Sequence, residues 1–312
     1  MFSPCCECGE YVKGRVAECA LVFAMMLWAS SFIALKLAFV SYDPWTVIAG
    51  RMWVATLCFL VMWKRVMRFE YRSGDWKVLL ILVLAEPCLY FILEAMALQY
   101  TSAGQAGMVT SLAPLLTAVV AFVFLRERLS RIAVMGLSIA IGGVLLLGTD
   151  GHGSDAAPDP MLGNALEFGA MLCAAICSVC LKHLSGRYSA LTLTALMSFA
   201  GLIFFTPLAM IQGNSWHWNS QGIGAIVFLG AFVTLGAYLL YNYAIAHMPV
   251  TRAASFVNLI PVFTLVLAYL ILGERMTLVQ LAACVLVMIG VGVSQMKGRK
   301  PLKPPVEQPN QA

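Results

Sequence analysis

The sequence predicts an all-α polytopic membrane protein with ten transmembrane helices, arranged as two inverted five-helix repeats. Three observations lead to this fold class. Of the 312 residues, 61% are hydrophobic and only 11% are charged, whereas charged residues make up about 25% of an average soluble domain. Ten apolar stretches approach the roughly 20 residues that a membrane-spanning helix needs. Basic residues collect in alternate connections between these stretches, which is typical of membrane proteins with a fixed orientation.

The composition excludes several classes of protein. Twenty Lys and Arg with fifteen Asp and Glu cannot cover the exterior of a soluble domain of this length. A cytosolic enzyme and a disordered regulator are therefore excluded. The net charge of +5 does not indicate a nucleic-acid binder, because no basic stripe lies along a polar face, and we expect no nucleic-acid partner.

The apolar stretches follow one another with short connections. The predicted spans are 16–38, 44–63, 77–98, 103–125, 131–148, 162–181, 189–211, 222–246, 250–272 and 278–295. The N-terminus lacks the basic start of a signal peptide, so we expect span 1 to remain in the mature protein. The connection 149–161 is rich in Gly, Pro and Asp, which predicts a loop. The tail 297–312 is basic and then Pro-rich, and we expect it to be disordered.

The basic residues predict the orientation of the chain. With the N-terminus in the cytoplasm, 17 of the 20 Lys and Arg fall in cytoplasmic segments, and only Lys36 and Arg275 fall outside. This distribution favours both termini in the cytoplasm. We expect an integral multi-pass protein of the plasma membrane, which in a bacterium is the inner membrane.

A shift of 147 residues aligns two segments of the chain. Residues 106–128 and 253–275 are identical at nine of 23 positions, and the matches include a proline and a terminal Glu-Arg pair. Spans 1–5 are therefore predicted to repeat as spans 6–10. Because five is odd, the second copy enters the membrane from the opposite side, and inverted repeats of this kind recur in secondary transporters.

The repeat defines the predicted domain organisation. A cytoplasmic segment 1–15 precedes a first five-helix repeat at 16–148. An external loop at 149–161 leads to a second five-helix repeat at 162–296. The cytoplasmic tail 297–312 follows.

Short motifs occur at characteristic points of the two halves. W-A-S-S-F occupies 28–32, Arg51 lies in span 2, and spans 4 and 9 each contain a proline and end in L-x-E-R. In this order the motifs resemble the drug/metabolite transporter superfamily, EamA type, over about 15–296. The resemblance implies an alternating-access carrier that exports small metabolites or amino acids, with spans 1, 3, 4, 6, 8 and 9 along the path. The chain departs from the pattern at A-A-I-C-S in span 6, at Met197, which replaces an Arg, and at Arg126 in the first L-x-E-R.

Pro114 and Pro261 lie near the middle of spans 4 and 9. We expect both prolines to kink their helices, because proline leaves the carbonyl four residues earlier without its helical hydrogen bond. Ser111 and Asn258 lie one turn before the prolines and are candidates for substrate binding at a cavity. The alternative is a kinked helix packed on its neighbour, with these polar side chains bonded to the backbone.

Two acidic residues close the same spans. Glu127 ends span 4 and Glu274 ends span 9, and inversion places them on opposite membrane faces, so they cannot form one catalytic pair. We expect both to be structural. Thr277 and Gln280 have the spacing of a capping box at the start of span 10.

Four charged residues remain inside the spans, where an isolated charge is costly. Glu94 in span 3 and Arg51 in span 2 are predicted at similar depth, so they pair or jointly bind a zwitterionic or charged substrate. Glu86 precedes Pro87 near the centre of span 3 and is the candidate for carrying a coupling proton. Glu167 lies in the outer part of span 6. The alternative is a structural ion pair and a permanently neutral Glu86.

Aromatic residues accompany these charges. Trp28 in span 1, Tyr90 in span 3, and Tyr238 and Tyr241 in span 8 are candidates for a ring-lined substrate pocket. Ser31 of the span 1 motif belongs to the same candidate set. Each ring, taken alone, is equally compatible with helix packing.

The sequence contains no signature of catalysis. No phosphate-binding Gly-Lys loop occurs, and the four His residues are scattered without metal spacing, so we expect no enzyme activity, metal or cofactor. The predicted function is a secondary transporter that exports a small metabolite or amino acid by alternating access, with a coupling proton. We expect a small-molecule substrate and membrane lipid as its partners, and a monomer or homodimer as its oligomeric state. The alternative is a non-transporting scaffold or an intramembrane enzyme.

Overall fold

The computed structural model describes residues 4–66, 72, 74–125, 131–149, 157–184, 187–212, 218–247 and 256–295. The first half contains α1 (Pro4–Phe39), α2 (Pro44–Val61), α3 (Trp76–Tyr100), α4 (Ala103–Val109, Thr110–Leu112 and Ala113–Leu125) and α5 (Arg131–Thr149). The second half contains α6 (Pro160–Leu184), α7 (Ala190–Gln212), α8 (Ser220–Phe228, Leu229–Ala237 and Tyr238–His247), α9 (Leu259–Leu272) and α10 (Leu278–Gln295). A short helix, Trp63–Val66, follows α2.

Within these ranges, seven helical stretches are long and apolar enough to cross a membrane, and they belong to α1–α4 and α6–α8. Shorter apolar helices occur at Val134–Leu147, Leu259–Leu272 and Leu278–Val293, in α5, α9 and α10. Large apolar side chains such as Val123 and Ile203 are exposed on the outer surface, as expected for side chains that face lipid. The chain is an integral multi-pass membrane protein.

The described helices coincide with the predicted spans to within a few residues, except at the starts of two spans. In span 9 the helix begins at Leu259, and residues 250–255 lie outside the described ranges. α1 begins at Pro4, well before the predicted start of span 1 at 16. Several sequence predictions concern residues outside the described ranges: most of the loop 149–161, the tail 297–312, and Glu127.

Helix ends follow local sequence signals. Asp43 caps α2 by accepting the Thr46 amide at 3.0 Å, and the following proline suits the first helical position. The predicted capping box of α10 is confirmed, because the Thr277 amide donates to Gln280 Oε1 at 3.1 Å and the Gln280 amide donates to Thr277 Oγ1 at 3.2 Å.

The helices of the two halves pack on one another in related pairs. α5 packs on α10, α2 on α7, and α4 on α9, while α3 packs on α6 as α8 packs on α1. At the α5–α10 contact, a Cβ atom on Gly143 would lie 2.7 Å from Val287 Cγ2, and one on Gly290 would lie 2.5 Å from the Ala140 amide nitrogen. These glycines therefore allow a backbone approach that a larger side chain would prevent.

Helical regularity is interrupted within α3 and within α8. Glu86 has extended backbone angles (φ −145°, ψ 120°), and it divides α3 within the wide-turn segment Leu84–Leu89. A similar wide-turn segment, Leu229–Ala237, lies in α8. Such segments are frequent at functional sites.

Just before each of the two prolines in α4 and α9, the backbone makes a tighter turn with a hydrogen bond between residues three apart. The carbonyl of Thr110 accepts the Ala113 amide, and the carbonyl of Val257 accepts the Ile260 amide at 3.0 Å. The backbone itself therefore provides a partner for each carbonyl that proline leaves without its regular bond. Neither carbonyl needs a wet cavity for this purpose.

Candidate functional site

A buried ion pair joins α2 and α3. Arg51 Nη1 lies 4.0 Å from Glu94 Oε2, and the two residues are only 5% and 3% exposed. Arg51 Nε also donates to Thr234 Oγ1 at 2.9 Å, across to α8. The guanidinium carbon lies 4.5 Å from the centre of the Phe91 ring, a distance typical of a cation–π contact.

Glu94 has a second partner on its own helix. The Tyr90 hydroxyl donates to Glu94 Oε1 at 2.9 Å. Each carboxylate oxygen therefore faces a donor or a cation, which is how a buried charge is tolerated. The structure brings together Arg51, Tyr90 and Glu94, which were three of the predicted site residues.

Glu86 lies at the interruption of α3 and is partly exposed. The Tyr238 hydroxyl of α8 donates to Glu86 Oε1 at 2.6 Å, and the Cys177 thiol of α6 lies beside the same carboxyl group. Three helices thus meet at this one side chain.

The predicted rings meet next to Glu86. The Trp28 ring centre lies 5.5 Å from that of Tyr238, in an edge-to-face arrangement, and 5.2 Å from that of Tyr241. All three rings are partly exposed. This group of side chains therefore offers a ligand aromatic rings together with a carboxyl group. Its members are Trp28, Tyr238, Tyr241 and Glu86.

The predicted polar residues of α1, α4 and α9 lie differently. The Ser31 hydroxyl donates to the Trp28 carbonyl at 2.6 Å, and the Ser111 hydroxyl donates to the Met108 carbonyl at 2.7 Å. Both are buried, so their donors serve their own helices. Asn258 Oδ1 is buried and has no hydrogen-bond partner among the described residues.

Two further acidic residues have distinct environments. Glu274 accepts the Ala103 and Gly104 amides at 3.0 and 2.9 Å, so it caps the first turn of α4 and is structural, as predicted. Glu167 in α6 is 0% exposed, and it interacts electrostatically with Glu94.

Sequence reasoning did not identify Thr234, Phe91 or Cys177 as members of the site. Thr234 is uncharged and lies 183 residues from Arg51, so no local pattern marks it. Phe91 and Cys177 lie in the apolar stretches of spans 3 and 6, where the sequence does not distinguish them from ordinary core residues. Only the tertiary contacts distinguish these side chains from their neighbours.

Within the described ranges, no group of three or more His, Cys, Asp and Glu side chains is arranged to hold a metal ion. The N-terminal Cys cluster at 5, 6 and 8 has no described side chains.

The family model of EamA-like transporters matches residues 15–149 and again 161–295. The chain belongs to the EamA-like transporter family. The resemblance to the drug/metabolite transporter superfamily is thereby confirmed.

Other members of this family align along much of the chain. YetK of Bacillus subtilis, an uncharacterized transporter, is 28% identical over 68% of this chain and 66% of its own length. An uncharacterized transporter of Archaeoglobus fulgidus is 28% identical over 87% of this chain and 95% of its own. A probable terminal-alkyne amino-acid exporter of Streptantibioticus cattleyicolor is 24% identical over 84% of this chain and 88% of its own.

A solved crystal structure shares the fold of this EamA-like chain. It superposes with a TM-score of 0.63 at 19% identity, and the match covers 89% of this chain and 96% of the other. The charged and aromatic side chains of α1, α2, α3 and α8 therefore lie within a fold that this solved structure shares.

Proposed function

We propose that this EamA-like protein is a secondary transporter that exports a small metabolite or amino acid by alternating access. The observation that carries the proposal is the group of charged and aromatic side chains at the centre of a membrane protein. Charged residues inside a membrane protein typically mark a substrate or ion pathway. The amino-acid exporter of Streptantibioticus cattleyicolor supports an amino acid as the substrate.

The proposed architecture is ten transmembrane helices in two inverted repeats. The family model matches the chain twice, and a 147-residue shift relates Gly143 to Gly290 and Ala140 to Val287. These four residues form two reciprocal contacts, because Gly143 approaches Val287 and Gly290 approaches Ala140. Reciprocal contacts of this kind are expected when a pseudo-two-fold axis relates the two halves. The shorter helices α5, α9 and α10 bring the proposed number of transmembrane helices to ten.

The protein is proposed to lie in the plasma membrane. Both of its termini are proposed to lie in the cytoplasm. The distribution of Lys and Arg supports this orientation. Membrane lipid covers the exposed apolar surface, and the protein acts as a monomer or homodimer.

The proposed substrate site has two parts. Trp28, Tyr238 and Tyr241 with Glu86 form the part that is partly exposed, which suits the ammonium and apolar groups of an amino acid. Arg51 and Glu94 are buried, so a substrate carboxylate reaches Arg51 only when the helices rearrange. Tyr90 positions Glu94. Ser31, Ser111 and Asn258 complete the proposed substrate-binding set, and the buried side-chain oxygen of Asn258 has no hydrogen-bond partner among the described residues.

The proposed coupling residue is Glu86. Its carboxyl group lies where α3 is interrupted and accepts a hydrogen bond from Tyr238 of the other half. A proton on this oxygen changes a contact between the halves, which is what coupling requires.

Ligand-induced thermal stabilisation of the purified protein tests the site. We expect at least one amino acid to stabilise the wild-type protein and to lose this effect in Trp28→Ala. Trp53→Ala is the matched control, because Trp53 is exposed on the outer surface. Equal stabilisation of both variants, or no stabilisation of the wild type by any amino acid, would contradict the proposed site.

A further inference from the structure

The carboxyl group of Glu167 in α6 is buried and lacks a hydrogen-bond partner within the part of the chain that the structure describes. Its exposure is 0%, and neither oxygen has a hydrogen-bond partner among the described residues. A buried polar group in this state is rare and requires a specific explanation.

The nearby charges do not neutralise Glu167. The groups that interact with it electrostatically are Tyr90 and Glu94 of α3. Arg51, the nearby cation, is already paired with Glu94. α6 also packs on α4 and α5. The sequence of α4 has no titratable residue, and that of α5 has Arg131 alone, at its first position. Two acidic side chains therefore share one cation.

Close packing seals this carboxyl group. Gly163 lies one turn before Glu167 on the same face of α6, and a Cβ atom there would lie 2.6 Å from Cβ of Thr101, the residue that follows α3. One turn on the other side, Ala170 and Met171 are buried in an apolar cluster that includes Leu93. Glu167 therefore has no contact with bulk water in this conformation.

An ionised carboxylate in such a place lacks both water and a counter-ion, which is strongly unfavourable. We propose that Glu167 holds a proton in this conformation and is a second proton-carrying residue, in addition to Glu86. When α6 separates from α3, the O–H bond of the carboxylic acid breaks, the proton passes to water, and the carboxylate remains. The transport role rests on the proposed function, whereas the buried proton does not.

Infrared spectroscopy of the purified protein in lipid nanodiscs tests the buried proton directly. A protonated carboxyl group has a carbonyl band that shifts when H₂O is replaced by D₂O. We expect Glu167→Gln to remove one such band at neutral pH. Glu274→Gln is the matched control, since Glu274 accepts two backbone amides, and it should leave the band in place. A band that persists in Glu167→Gln would overturn the proposal.

A second variant covers the case in which Glu167→Gln does not fold. Glu167→Asp retains a protonatable group and should move the band rather than remove it. An unchanged band in a folded Glu167→Asp protein would overturn the assignment.

Transport assays separate this proposal from the proposed function. In proteoliposomes, Glu167→Gln should reduce proton-driven transport at least tenfold and retain substrate exchange without a gradient. Unchanged proton-driven transport would overturn the coupling role. Wild-type protein that shows the infrared band but transports no amino acid would defeat the proposed function and leave the buried proton supported.

Discussion

Tyr238 donates a 2.6 Å hydrogen bond to Glu86 at the point where α3 is interrupted. The two residues lie 152 positions apart, one in each half of the chain. The contact therefore joins the halves through a side chain that can gain or lose a proton.

The variant Tyr238→Phe removes this donor and keeps the ring that contacts Trp28. In the proposed site this bond holds Glu86 in place for the substrate. If the whole contribution of such a bond to a charged group, about 1.5 to 3 kcal/mol, is lost from binding, substrate affinity falls by roughly tenfold or more. Binding measured by thermal stabilisation against substrate concentration checks this. Tyr269→Phe is the control, because Tyr269 is exposed on the outer surface, and equal affinity of the two variants would contradict the role of the bond.

The Arg51–Glu94 pair should be sensitive to the loss of one member. Removal of one partner from a buried pair costs about 3 to 5 kcal/mol, because the other charge is left uncompensated. We expect Arg51→Ala to lower the thermal stability of the purified protein markedly, while Lys64→Ala, at an exposed position, has little effect.

A double variant gives a sharper test of the same pair. Arg51→Met combined with Glu94→Leu removes both charges, so its stability should exceed that of Arg51→Met alone. If the two losses of stability simply add, the two side chains are not coupled.

The close contact between α5 and α10 predicts a position-specific effect of small substitutions. Gly143→Ala should destabilise the protein by about 1 to 3 kcal/mol, because the added methyl group meets Val287. Gly142→Ala is the matched control, since a Cβ atom at Gly142 meets nothing within 4 Å. Comparison of their unfolding temperatures checks the prediction, and a lower value for Gly142→Ala would contradict the described packing.

Glu274 should stabilise the start of α4. Glu274→Ala leaves two backbone amides without their carboxylate partner, and the loss of a helix cap costs about 0.5 to 2 kcal/mol. We expect a modestly lower unfolding temperature with unchanged substrate specificity. Arg275→Ala changes the neighbouring exposed residue and serves as the control; a larger loss in that variant would argue against the cap.

The sequence was sufficient to predict the helical membrane fold, because apolar stretches of sufficient length have few alternatives in a bilayer. It also predicted that Arg51 and Glu94 lie at similar depth, since the distance of each residue from its helix end follows from the rise per residue. The rotation of each helix about its axis is set by packing. For this reason the contacts of Arg51 with Thr234 and of Glu86 with Tyr238 could not be predicted.

The polar residues near the two prolines show a second limit of the sequence. Ser111 was a candidate for a polar cavity, yet its hydroxyl bonds to the backbone of its own helix. A serine in an apolar helix has both options, and the sequence pattern is the same for each. The burial of Glu167, which has no hydrogen-bond partner in the described segments, likewise depends on how α3 and α6 meet.

Proton-driven transport in proteoliposomes is the most direct test of the central proposal. Purified protein is reconstituted into vesicles loaded with a labelled amino-acid mixture, and release is measured with and without a proton gradient. We expect gradient-dependent release by the wild type and by Tyr269→Phe, and its loss in Glu86→Gln. Release of no amino acid by the wild type, or equal gradient-dependent release by Glu86→Gln, would contradict a proton-coupled exporter centred on Glu86.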